Sequence, residues 1–477
     1  MTTPWSLQIP PALMQQLSDH LFPGDADEHG ALILAGKVET SRGVRLLARE
    51  IVVAKDGVDY VPGKRGYRML TARFVTTNIL RCAQSGLVYL AVHCHGGRDH
   101  VAFSSDDLAS HERGYPALLD IADGKPVGAV VFASHAVAGD IWLPSGQRVE
   151  LEHARVVGRP QRLLYPSPPS LASPDPAYDR QVLLFGERGQ TILHAQKVGV
   201  IGAGGAGSLI IEYLARLGVG HVVIADPERI ELANLPRVVG SSRRDARAML
   251  TAPERPRWMR QLGERWARHK TSISSRLARQ ANPRMAVESV IGDIATAAVA
   301  ERFIDCDFLF LAADSMRARL VFNALVHQYL IPGAQVGAKV TVDKATGDVL
   351  DVFSVYRPVL PGSGCLWCNG LIPPARLQEE ALTETERREQ RYVDDTTIRA
   401  PSVITLNAVA CAHAVDDYLF SVTGLLDEAT TSAYRRFLPR EATYVLDEPR
   451  HDPDCPECGN GPKGRLGVGA ATRLPIH

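Results

Sequence analysis

Lys197-Val-Gly-Val-Ile201-Gly202-Ala203-Gly204-Gly205-Ala206-Gly207-Ser208 decides the fold. A short apolar run of strand length leads into a turn with four glycines in six positions. Glycine lets a backbone turn tightly and approach a phosphate, and a helix N-terminus draws the phosphate's charge. A helix is expected over Ser208–Leu217 and a second strand over His221–Ala225, which makes a βαβ unit and starts a parallel sheet. Asp226 stands 19 residues past Gly207, at the end of that second strand. A carboxylate there can accept both hydroxyls of a ribose. These residues alone also suit a nicotinamide dehydrogenase.

The chain beyond them narrows the choice. Asn234-Leu-Pro-Arg237 follows Asp226, and Lys270 is one of only nine lysines against 44 arginines. Asp314 ends an apolar run, Phe308–Ala313, Arg319 lies five residues further on, and Ala318–Leu330 reads as a helix. Cationic side chains at these points suit a triphosphate, and an Asp at a strand C-terminus suits Mg²⁺. A dinucleotide has no γ-phosphate and needs no metal.

Together these residues resemble the ThiF/MoeB/HesA family, the adenylation domain of ubiquitin-activating enzymes. The resemblance takes in Arg180-Gln181, Gly186 and Gly189-Gln190 upstream and runs over about 178–463. It implies a Rossmann-like domain with a mostly parallel sheet that binds ATP and Mg²⁺. Its activity would be adenylation of the C-terminal glycine of a small ubiquitin-like modifier. By the same resemblance Gly202, Gly204, Gly205 and Gly207 form the nucleotide turn, and Asp226 holds the ribose. Asn234, Arg237 and Lys270 complete the nucleotide site, the last two on phosphates. Asp314 binds magnesium and serves catalysis. Arg180 reaches the ATP of a second subunit in a homodimer. The stretch from Arg237 to Lys270 is longer than the family's usual one. From Ser241 to Lys270 it carries nine Arg or Lys against three Asp or Glu, which reads as a solvated insertion or a docking surface.

Upstream, Gly30–Val38 and Leu87–Val92 are apolar runs of strand length in a mixed α/β block. His93-Cys94-His95 continues the second run. Alternate strand residues share a face, so the two histidines project together and Cys94 points away. Two histidines with one carboxylate, and a fourth position left to water, make a catalytic zinc arrangement. Asp106 and Asp107 in Phe103-Ser104-Ser105-Asp106-Asp107 both offer the carboxylate, and Glu28 is placed early in the chain as the base. The pattern Glu…His-x-His…Ser-x-x-Asp resembles the JAB/MPN family of zinc isopeptidases, with its JAMM motif, over about residues 10–150. That resemblance implies zinc on His93, His95 and Asp107, general-base catalysis by Glu28, and oxyanion stabilisation by Ser104. Gly96 replaces the usual proline, and the step from His95 to Ser104 is one residue longer than the common form.

Cys365-Leu-Trp-Cys368 and Cys455-Pro-Glu-Cys458 supply four of the eight cysteines. Two such pairs close a tetrahedral structural zinc site, with two redox pairs as the alternative.

Six prolines between Pro160 and Pro176 mark an extended spacer. The expected organisation is a JAB/MPN-like domain over 1–155, a linker over 156–177, the adenylation domain over 178–463 and a loose Gly-rich tail over 464–477. Lys plus Arg equals Asp plus Glu at 53 each, which argues against a general nucleic-acid binder or a polybasic membrane anchor. No secretory or membrane-spanning segment is read, so the expected compartment is the cytosol.

The function expected is therefore a fusion: one half activates a modifier's C-terminal glycine and the other cuts after it. A sulfur-carrier adenylyltransferase for cofactor biosynthesis and a Rossmann oxidoreductase are the alternatives. Asn369–Ala400, where thioester-forming relatives carry a cysteine, holds none. The acyl group should therefore pass directly to a conjugating-enzyme-like partner, or through an oxyester on Thr396 or Thr397. Cys411, in the apolar run Val403–Val415, reads as a core residue.

Overall fold

The structure is a computed structural model. It describes residues 3–476 apart from 26, 63–67, 172, 344–345, 382–400 and 428–429. Contact density divides the chain into two compact units: Met1–Leu171 with His327–Leu330 and Pro453–Arg473, and Ala172–Val326 with Ile331–Asp452 and Leu474–His477.

Eight strands build the first unit: β1 (Trp5–Ile9), β2 (Gly30–Thr40), β3 (Gly43–Val53), β4 (Val88–Cys94), β5 (Val127–Phe132), β6 (Val137–Trp142), β7 (Arg148–Val156) and β8 (Arg162–Leu164). They run in the order β1-β3-β2-β4-β5-β6-β7-β8, and β1 also pairs with β7, which closes the sheet into a barrel-like form. Apolar residues of β1, β2, β3, β4 and β5 fill one core, with Leu7, Ile33, Leu46, Leu90 and Val130 fully buried. The helices Ala72–Ser85 and Ser105–Ile121 cover a second core on Leu32, Tyr89 and Ala129. The alternation of β2 and β4 residues between the two cores is the period-two pattern of a strand buried on both faces.

Two expectations for this part of the chain fail. The spacer begins later than residue 156, because β7 runs to Val156 and Arg162–Leu164 pairs with it as a strand. The tail from Gly464 is not loose. Arg49 donates to the carbonyls of Asn460, Gly461 and Leu466, Gly467 N–H donates to His327 O at 2.9 Å, and Leu466 is buried. Glycine-rich composition concealed this, because the segment is held through its backbone and not through apolar side chains.

The second unit carries β9 (Lys197–Ile201), β10 (His221–Ala225), β11 (Ala286–Val290), β12 (Phe308–Leu311), β13 (Gly333–Val342), β14 (Val349–Val359), β15 (Tyr434–Leu438) and β16 (Thr443–Asp447). Their order is β11-β10-β9-β12-β13-β14-β15-β16. The first five are parallel and the last three extend the sheet antiparallel. Chain direction across the sheet reverses between β9 and β12, the switch point where open α/β sheets form a crevice. The helices Gly205–Arg216 and Ile404–Thr423 pack against this sheet through Ile210, Leu214, Ala414 and Tyr418. Cys411 lies fully buried in that core, as expected, and burial pushes its thiol far above the usual range.

Candidate functional site

The crevice at the ends of β9 and β12 is a cleft of about 750 Å³. Gly202, Gly204, Gly205, Asp226, Asn234, Arg237, Lys270, Asp314 and Arg319 all line it, so the structure brings together nearly every residue expected there. Gly202 has φ +96°, and a Cβ on it would lie 3.0 Å from the Ala312 carbonyl carbon, so the turn presses on the end of β12. Gly207 does not line the cleft. A Cβ there would meet Gly202 O at 1.8 Å, so Gly207 lets the helix close onto the turn. Arg180 is exposed on the helix Asp179–Ala195 and does not line the cleft either.

Asp226 braces the turn. Its carboxylate accepts Ala203 N–H at 2.7 Å and Glu228 N–H at 2.8 Å. Burial raises its pKa above the usual range, against the pull of those two donors. Lys270 starts the helix Lys270–Ala281 and is ion-paired with Glu228 at the cleft wall. Arg319 is anchored by donating to Leu371 O at 2.9 Å, and burial lowers its pKa. The sequence reading missed Glu228, Gln335 and Asn407. Asn407 lies in the helix Ile404–Thr423, and its Nδ2 would be 2.6 Å from a Cβ on Gly205. No local spacing signals a residue some 200 positions from the turn it covers. Gln181 and Gln190 also have a place: they bond each other at 2.7 Å, and both donate to Leu217 O at the end of the helix Gly205–Arg216.

The insertion Ser241–Lys270 is tied down by Asp245. Hydrogen bonds from Arg276 at 2.8 and 3.0 Å hold its carboxyl down to about 2 although burial opposes this, and Ser242 adds a further bond.

In the first unit, β2 and β4 are antiparallel with Gly30 opposite His93. Continuing that register by two residues sets Glu28 opposite His95, and Glu28 Oε1 lies 3.9 Å from His95 Nε2. His93 Nε2 and His95 Nε2 are 3.1 Å apart, and Asp107 Oδ2 is 3.6 and 3.4 Å from them. Tetrahedral zinc bonds of about 2.0 Å would put ligand atoms about 3.3 Å apart, so the donor set fits that ion. His95 Nδ1 bonds Ala102 O at 3.0 Å. The carbonyl can only accept, so the ring's proton sits on Nδ1 and Nε2 is left as a ligand. Cys94 points away into the core, where burial raises its thiol pKa.

Ser104 is the N-cap of the helix Ser105–Ile121 in a capping box with Asp107. Its hydroxyl donates to Asp107 Oδ2 at 2.7 Å. Burial would raise the Asp107 pKa, but the nearby His93 ring and the hydrogen bonds from Ser104 outweigh it and hold the carboxyl well below the usual range.

Cys365 and Cys368 belong to the second unit, and Cys455 and Cys458 to the first. Backbone N–H groups of Cys368 and Glu457 donate to Cys365 Sγ and Cys455 Sγ, each at 3.4 Å. Such donors favour the thiolate form that a metal ligand needs. Tyr392, Asp394, Asp395, Thr396 and Thr397 lie outside the described residues.

The ThiF family profile matches residues 178–457, more than half of the chain, and the chain belongs to the ThiF family. The dehydrogenase alternative falls with that match. The chain is similar to the SAMP-activating enzyme E1 of Haloferax volcanii, 25% identical over 288 residues, covering 60% of this chain and 88% of the relative. It is 28% identical over 229 residues to the sulfur carrier protein ThiS adenylyltransferase of Bacillus subtilis, covering 44% of this chain and 59% of the relative. A sulfur carrier protein adenylyltransferase of Thermus thermophilus matches at 42% over 64 residues, 13% of this chain and 24% of that protein. The chain thus spans less than two thirds of the second and third of these relatives. Among the described residues, no helix is long and apolar enough to cross a membrane.

Proposed function

We propose that the cleft of the second unit adenylates the C-terminal glycine of a small ubiquitin-like modifier with ATP and Mg²⁺. The observation that carries this is the convergence of Gly202, Asp226, Arg237, Lys270 and Asp314 on one cleft at the sheet's switch point. Asp226 takes the ribose hydroxyls, and Arg237 and Lys270 draw the phosphates. Asp314 supplies a carboxylate oxygen for magnesium. The glycine carboxylate attacks the α-phosphorus and pyrophosphate leaves. The names of the similar proteins support the substrate class.

The first unit, in this proposal, cuts after the same glycine in a precursor or conjugate. Zinc held by His93, His95 and Asp107 would polarise the scissile carbonyl and acidify water. Glu28 is placed to take the attacking water's proton, and Ser104 keeps Asp107 aimed. The four cysteines hold a second, structural zinc. Exposed Leu183 and Leu184 beside Arg180 support a homodimer, with Arg180 directed to the partner's nucleotide. Cys411 is buried and the stretch 369–400 has no cysteine, so the acyl-adenylate passes directly to a conjugating-enzyme-like partner's nucleophile, or less directly through Thr396 or Thr397.

The test is ATP–pyrophosphate exchange with glycine-ending ubiquitin-like proteins from the same genome. Exchange that requires one of them is expected; no exchange with any of them overturns the reading. Sulfur-carrier activation is the second reading, favoured by the names of two relatives. It predicts exchange with a carrier whose C-terminal fusions the first unit leaves uncut.

A further inference from the structure

A second cavity, of about 600 Å³, is walled by β14, β15, β16, Asn369 and Leu371. It adjoins the nucleotide cleft through two shared contacts. Arg319 of the cleft donates to Leu371 O of the cavity, and Arg357 of the cavity donates to Gln335 Oε1 of the cleft.

The charged residues of this cavity are Arg357, Arg436, Arg450, Asp447 and Glu448. Arg436 occupies Asp447, through Nε at 2.8 Å and Nη2 at 3.2 Å. Glu448 and Arg450 are exposed at the rim. Arg357 is different. Its hydrogen-bond partner is the neutral Gln335, its guanidinium lies 5.8 Å over the Tyr434 ring, and no carboxylate among the described residues forms an ion pair with it. Burial pushes it down to about 10 and the neighbouring Arg319 and Arg436 add repulsion, with Tyr434 and the Arg436-bound Asp447 opposing them in part. A half-buried cation whose hydrogen-bond partner is a neutral amide keeps donors to give, and a bound anion would satisfy them.

We propose that Arg357 and its cavity bind a carboxylate side chain in the tail of the incoming protein, a few residues before its C-terminal glycine. This rests on the adenylation reading above. The terminal carboxylate itself must meet the nucleotide between the glycine turn and Asp314, so it is not the anion that Arg357 receives. An extended chain advances about 3.3 Å per residue. Residues two to five positions back from the glycine therefore fall about 7–17 Å away, in the adjoining cavity. The planar guanidinium matches a carboxylate with two parallel hydrogen bonds. Asp447 and Glu448 at the same wall disfavour a doubly charged phosphate.

Two measurements on the full chain test this. The first is binding of hexapeptides ending in glycine, with one glutamate walked through the other five positions and an all-glutamine control. Wild type should prefer one glutamate position by about tenfold over the control, and Arg357→Gln should lose that preference. No preference in wild type, no binding of any peptide, or a preference that survives in Arg357→Gln overturns the proposal. The second is pyrophosphate exchange with a modifier that supports it. Arg357→Gln should raise the KM for the modifier about tenfold and leave the KM for ATP unchanged. An unchanged KM for the modifier overturns the Arg357 role alone, whereas absence of exchange in wild type overturns the adenylation reading.

Discussion

His93, His95, Ser104 and Asp107 fall within fifteen consecutive residues, whereas the residues lining the nucleotide cleft run from Ile201 to Asn407. The first site is made by one strand end and one helix cap, joined by a loop. Strand alternation brings the histidines together, and the capping box fixes Asp107, so its geometry is mostly local. The cleft is made by topology. β9 and β12 are neighbours although more than 100 residues separate them, and only that pairing sets Gly202 beside Asp314. Local sites are legible as motifs; sites at a switch point become legible only once strand order is known.

The two chemistries proposed for these sites should be separable by mutation. Glu28→Gln should lower cleavage of a modifier fusion by about 10²–10⁴-fold, with zinc content unchanged because Glu28 is outside the ligand set. Normal cleavage by that variant would show that the base has been misassigned.

Asp314→Ala should reduce exchange by about 10²–10³-fold through loss of the magnesium carboxylate, while fusion cleavage persists. Loss of both activities would mean that the two sites do not act independently.

If both proposed zinc ions bind, graded chelation should separate them. The His93–His95–Asp107 site has three protein ligands and should empty first, with loss of cleavage. The four-cysteine site is closed and should empty only at higher chelator concentration, with a fall in Tm. Release of both metals together would contradict the distinction between open and closed sites.

The smallest effect concerns the insertion beside the cleft. Asp245 titrates at about 2 when folded, below the unfolded value of about 4. Its stabilisation is therefore present above pH 4 and lost as pH falls through about 2. Asp245→Asn should cost about 1–2 kcal/mol at pH 7, read as a lower Tm, and the gap from wild type should close between about pH 4 and pH 2. A gap that does not change with pH would show that the ion pairs with Arg276 contribute nothing.

The sequence by itself determined the βαβ unit, the glycine turn, the presence of Asp226 and Asp314 at strand ends, the His-x-His pair and the paired cysteines. Each rests on a period or spacing that the backbone imposes locally: two for a strand, a fixed turn after it, three for a cap. Tertiary structure decided the rest. It placed Asn407 over Gly205, turned Ser104 toward Asp107, and drew the segment after Gly464 onto Arg49 through backbone carbonyls. It also left Arg357 half-buried beside a neutral glutamine. None of these has a sequence period, because each depends on which distant backbone or side chain fills the space once the sheets have closed.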